Sequence, residues 1–132
     1  MTRFANPLHL IAAKQKVGQE DTDSIELMVM CHFDAAKRGQ CTGAGVNFMT
    51  THLIIASYIA ARSKASQFHA IVTQAYTALK RASDRPTALL DLTAREYVQL
   101  QTAWRWYFRS MPQVEVGTMA EACAAAHQAM QG

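Results

Sequence analysis

The residues with the richest chemistry are five histidines, His9, His32, His52, His69 and His127, and three cysteines, Cys31, Cys41 and Cys123. A zinc site built from local sequence needs two ligands on one turn, as in CxxC, HxxxH or HExxH. The chain has none of these spacings, so neither a metal nor another cofactor is expected. Cys31 and His32 are adjacent and point to different parts of a helix surface, although folding could gather Cys31, Cys41 and a distant histidine. Cys31 and Cys123 stand in apolar stripes, where burial raises a thiol's pKa and blunts it, so both are expected to be core cysteines. No GxSxG elbow is present to hold a nucleophilic serine. Asp23 and Glu26 are accounted for as a helix cap, and Asp34 and Asp91 are isolated in sequence. Gly43-Ala44-Gly45 lacks the third glycine and preceding strand of a phosphate loop and reads as a helix entry. No catalytic residue is therefore nominated. The chain is expected to be non-enzymatic, the alternative being a site assembled only in three dimensions.

Binding chemistry is better represented. Lys14 and Lys16, Lys37 and Arg38, Arg62 and Lys64, Lys80 and Arg81, and Arg105 and Arg109 each fall near an expected helix C-terminus. A cation there is favoured by the helix dipole by about 0.3–1 kcal/mol, which explains the positions without a partner. In an up-and-down bundle two of these ends meet, so Lys37, Arg38, Lys80, Arg81 and Arg85 could form one basic patch for nucleic acid phosphates or an acidic protein. A second surface is expected from Trp104, Arg105, Trp106, Tyr107 and Arg109, near Arg95. Trp104 and Trp106 cannot both face one core from a single helix, so one should lie outward or at an edge. Exposed Trp and Tyr beside Arg suit a protein interface or a homodimer seam, the alternative being a buried second layer.

These residues require helices to position them. Asn6 and Pro7 read as the start of a short helix ending near Gly18, followed by a polar link over residues 19–22. Residues 1–22 are expected to form a loosely packed arm of one domain spanning residues 1–132. Asp23 and Glu26 have capping-box spacing ahead of Ile25, Met28, Val29, His32, Phe33 and Ala36, and Gly39 ends that helix. Leu27, Met30 and Cys31 widen its apolar surface, which suggests a helix sandwiched between neighbours. Residues 42–45 open a central helix carrying Val46, Met49, Leu53, Ala56 and Ala60. A fourth carries Phe68, Ile71, Val72, Ala75, Leu79 and Ala82 and ends at Asp84, Arg85 and Pro86. Thr93 and Glu96 cap a fifth, with Leu92 and Tyr97 as a hydrophobic staple, and it runs to Pro112. Residues 114–116 alternate in an extended way but have no strand partner, so they read as a linker. Thr118 and Glu121 form a third box before Met119, Cys123, Ala126 and Met130. The fold class is all-α, a single bundle of five or six helices.

Half of the 132 residues are apolar and only three are proline, which argues against long disorder. The net charge of +3 is too small to demand an anionic partner. Three cysteines without paired spacing suit a reducing compartment, and residues 1–10 are too poor in apolar side chains for a secretory core, so a cytoplasmic location is expected. Residues 39–61 carry no charged side chain and are long enough to span a bilayer. However, Gly43, Gly45, Asn47, Thr50, Thr51, His52 and Ser57 would have to enter hydrocarbon, so a buried core helix is expected and not a membrane span.

Val46-Asn47, the run Tyr76-Thr77-Ala78-Leu79-Lys80-Arg81 and the helix opening Gly117-Thr118-Met119-Ala120-Glu121-Ala122 give residues 40–130 a likeness. This part of the chain resembles short all-helical accessory proteins of betaproteobacterial phages, plasmids and islands. The resemblance implies a mobile-element cargo protein with no defined activity. The expected function is a non-enzymatic interaction module that docks on a protein partner, such as a host regulatory or defence component, or on itself. The alternative is a small nucleic-acid-binding regulator using basic helix ends.

Overall fold

A computed structural model of the chain describes residues 13–63 and 66–131. It contains α1 (Gly18–Lys37), α2 (Gly43–Ala61), α3 (Ser66–Asp84), α4 (Ala94–Ser110), a 3-10 turn (Met111–Gln113) and α5 (Val116–Gln131). The fold is all-α, with five helices among the described residues. The helix expected from Asn6 lies largely outside them, as do His9 and Lys64.

The second helix α2 sits at the centre and packs against α1, α3 and α5, while α4 packs on α3 and α1. Three neighbours explain its wide apolar surface. Met49, Leu53, Ile55, Ala56, Ile59 and Ala60 are buried, and the small Ala56 and Ala60 allow close approach. By length and mean hydropathy alone, α2 is long and apolar enough to cross a membrane.

Two ends form as their sequence dictates. Gly39, at φ +69°, closes α1 with Gly39 N–H on Ala36 O at 3.1 Å and Gln40 N–H on Ala35 O at 2.8 Å, the Schellman pattern that glycine permits. At α4, Thr93 N–H donates to Glu96 Oε1 at 2.9 Å and Glu96 N–H donates to Thr93 Oγ1 at 3.2 Å, completing the capping box.

The other two expected boxes do not cap. Helix α1 begins at Gly18, so residues 19–22 are helical and not a link, and residues 18–22 are part of α1 and not of an arm. Glu20 and Asp21 sit in its first turn, where the dipole favours carboxylates, and Asp23 accepts from Gln19 one turn inside. Helix α5 begins at Val116, and Glu121 pairs with Arg62 at 3.4 Å instead of reaching back to Thr118. Both early starts have one cause. Val17 N–H donates to Val114 O at 2.9 Å and Val116 N–H to Gln15 O at 2.7 Å, so each extended piece is the other's partner. Residues 114–116 are therefore not a free linker.

Two expectations about burial are also corrected. Helix α1 is not sandwiched: Leu27 is 68% and Met28 48% exposed, because its neighbours cover only the face of Thr22, Val29, Phe33 and Ala36. Cys31 and Cys123 are exposed, and the buried cysteine is Cys41.

Candidate functional site

The aromatic surface expected on α4 is largely interior. Trp104 is 2%, Trp106 9% and Tyr107 1% exposed, leaving Arg105 and Arg109 outside. The inference from one helix facing one core fails because α4 has covered flanks on two sides. Trp104 meets Phe33 of α1 edge-on at 6.4 Å between ring centroids, while Phe68 of α3 stacks on Trp106 at 5.0 Å. The signal for the second contact was Phe68 itself, at the start of a helix that must return along α4.

The histidines and cysteines divide similarly. His52 Nδ1 lies 2.9 Å from Tyr107 Oη, and burial lowers the His52 pKa to about 4 and raises that of Tyr107. His52 is thus neutral near pH 7 and packs in a tilted ring contact with Phe48, which also touches His32. A Cβ on Gly45 would come 2.6 Å from Cys41 Sγ and 2.9 Å from His32 Nδ1, so folding does bring a cysteine and a histidine to one place. Burial pushes the Cys41 thiol up, which keeps it protonated and weakly nucleophilic. No group of three or more His, Cys, Asp or Glu able to hold a metal converges among the described residues.

The five bases expected in one patch have different fates. Arg85 is tied to buried Glu96 at 2.8 and 2.5 Å and to Asp91 O at 2.5 Å. That guanidinium, with the Thr93 backbone, lowers the Glu96 pKa to about 2. Lys37 lies over the Tyr97 ring at 5.3 Å, and Arg38 pairs with Asp34 one turn earlier. Lys80 and Arg81 are exposed and form no ion pair among the described residues.

Arg81 has another neighbour. It lines a groove of about 240 Å³ between α3 and α4 together with Arg95, Gln74, Gln99, Thr73 and Thr77. Arg95 stands beside the aromatic run in sequence, but its place in one groove with Arg81 depends on helix packing. Two guanidiniums, two amides and two hydroxyls, with no carboxylate among the lining residues, suit an oxyanion. Arg105 and Arg109 continue the positive surface along α4, whose acid, Glu96, is buried. By contrast, α1 carries Glu20, Asp21, Asp23, Glu26 and Asp34 against Lys37 alone.

A second cleft, of about 450 Å³, lies among α2, α3 and α5. Ile54, Tyr58, Val72, Tyr76 and Ala125 make it mainly apolar, with His69 also lining it. Comparison of the chain with protein-family models, curated proteins and solved structures gives no match.

Proposed function

We propose that the chain is a non-enzymatic binding module that takes a nucleic acid backbone along the α3–α4 face. The observation that carries this reading is the groove in which Arg81 and Arg95 meet without an acidic counterpart. Phosphate contacts supply most sequence-independent affinity, and a guanidinium can meet a phosphate through two parallel hydrogen bonds. Lys80, Arg105 and Arg109 extend the positive field beyond the groove. The cytoplasmic setting and a mobile-element origin rest on sequence composition and resemblance alone.

Fluorescence anisotropy with labelled single-stranded and duplex oligonucleotides at about 0.05 M salt tests the reading. Binding should weaken steeply with salt. Replacing Arg81 and Arg95 together by Ala should reduce the logarithmic salt slope by about two. No binding by the wild type, or a double variant with unchanged affinity and slope, refutes it.

A protein partner on α4 is the second reading. With Trp104, Trp106 and Tyr107 buried, it rests on Arg105, Arg109 and Val98, a valine 54% exposed between Arg95 and Arg105. Partner recovery unaffected by Val98→Asp and Arg109→Ala would count against it.

A further inference from the structure

Helices α1 and α4 each present an outward stripe whose residues are all exposed. On α1 the stripe is Glu20, Ser24, Leu27, Cys31 and Asp34; on α4 it is Arg95, Val98, Thr102, Arg105 and Arg109. Along α1 the residue steps are four, three, four and three. Reading α4 backwards from Arg109 gives the same steps. That alternation is the spacing of a coiled-coil seam, and each stripe extends about 21 Å at 1.5 Å per residue.

Laid antiparallel, the stripes match in chemistry as well as spacing. Glu20 comes opposite Arg109, and Asp34, whose carboxylate also pairs with Arg38 in its own chain, comes opposite Arg95, so opposite charges meet at both ends. Leu27 and Cys31 come opposite Thr102 and Val98, which places the apolar side chains in the middle. Asp23, beside Ser24, offers a carboxylate near Arg105. Within one molecule both stripes point away from the buried faces of their helices, so neither can satisfy the other in the same chain.

We propose that the α1 stripe of one molecule docks antiparallel on the α4 stripe of a second copy of this chain. A single helix pair belongs to the small interface class, below about 1,200 Å². Association is therefore reversible, and its charged ends make it sensitive to salt. Arg95 also lines the α3–α4 groove, so a bound nucleic acid and a second copy compete for this side chain. The self-association does not depend on nucleic acid binding.

Sedimentation velocity of the full chain over a concentration series tests the proposal. Raising ionic strength from about 0.05 M to about 0.5 M shortens the Debye length roughly threefold and should shift the protein towards monomer. Glu20→Arg alone and Arg109→Glu alone should each weaken association about tenfold, and the two together should restore it. Arg81 lines the groove and belongs to neither stripe, so Arg81→Ala should weaken oligonucleotide binding in the anisotropy assay and leave self-association unchanged, which separates the two proposals. In a Val98→Cys variant under mild oxidation, an intermolecular disulfide should form and should vanish when Cys31→Ser is added. A monomer at every concentration, an oligomer indifferent to both charge reversals, or a double reversal that fails to restore association overturns the proposal.

Discussion

Arg81 and Arg85 stand one helical turn apart at the end of α3, and their surroundings differ in nearly every respect. Arg85 is half-buried, holds Glu96 through two hydrogen bonds and adds a third to Asp91 O. Arg81 is exposed and faces Arg95 across a groove. The first arrangement joins the chain between α3 and α4 to the start of α4. The second forms no ion pair among the described residues. A base near a helix end is thus structural where it meets a buried acid, as Arg85 meets Glu96, and Arg81 has no such partner among the described residues.

The comparison is tested most strongly at Arg85. Arg85→Met leaves the Glu96 carboxylate buried without its counterion and should cost about 3 kcal/mol in urea unfolding. If the loss falls below about 0.5 kcal/mol, the pair does not hold the loop.

Acid titration of stability gives the next largest effect. The folded-state pKa of Glu96 lies below its ordinary value of 4.5, at about 2, so its contribution is present above 4.5 and lost as pH falls towards 2. His52 also loses stability on acidification by the same linkage, although burial disfavours its charged form whereas Arg85 favours that of Glu96. Its folded pKa of about 4 lies below 6.5, so between those values the unfolded chain binds more protons and stability rises with pH. His52→Gln should flatten the limb between pH 6.5 and 4 while leaving the Glu96 limb below it. An unchanged upper limb would show that another group titrates there.

The smallest effect on folding is expected at Arg81. Arg81→Met removes an exposed side chain that forms no ion pair among the described residues, so stability should stay within about 0.5 kcal/mol. Oligonucleotide affinity should nevertheless fall several-fold. A loss of more than about 1 kcal/mol in thermal or urea unfolding would make Arg81 structural, like Arg85.

What the sequence could reveal depended on how far apart the deciding partners stood. Thr93 and Glu96 satisfy each other within three residues, and Gly39 needs only its own φ, so both ends were legible. Asp23 with Glu26 and Thr118 with Glu121 have the same spacing, yet their helices start earlier because residues 15–17 and 114–116 pair across the molecule. The burial of Trp106 required Phe68 to lie along α4, and the groove required Arg95 to come beside Arg81. Periodicity identified the helices, but the outward face of α1 contains Leu27, Met28 and Cys31, so apolar content alone suggested the wrong neighbours.

The short pairing of residues 15–17 with residues 114–116 also bears on how the molecule assembles. It joins points nearly a hundred residues apart, whereas the α2–α3 and α3–α4 contacts join neighbours in sequence. Closing so long a loop has a large entropic penalty before any contact rewards it, so this clasp should form late in folding and open early in unfolding. The first turns of α1 and α5 are tied to the same clasp. The amides of Val17 and Val116 should therefore exchange with solvent in concert, ahead of those in the middle of α2.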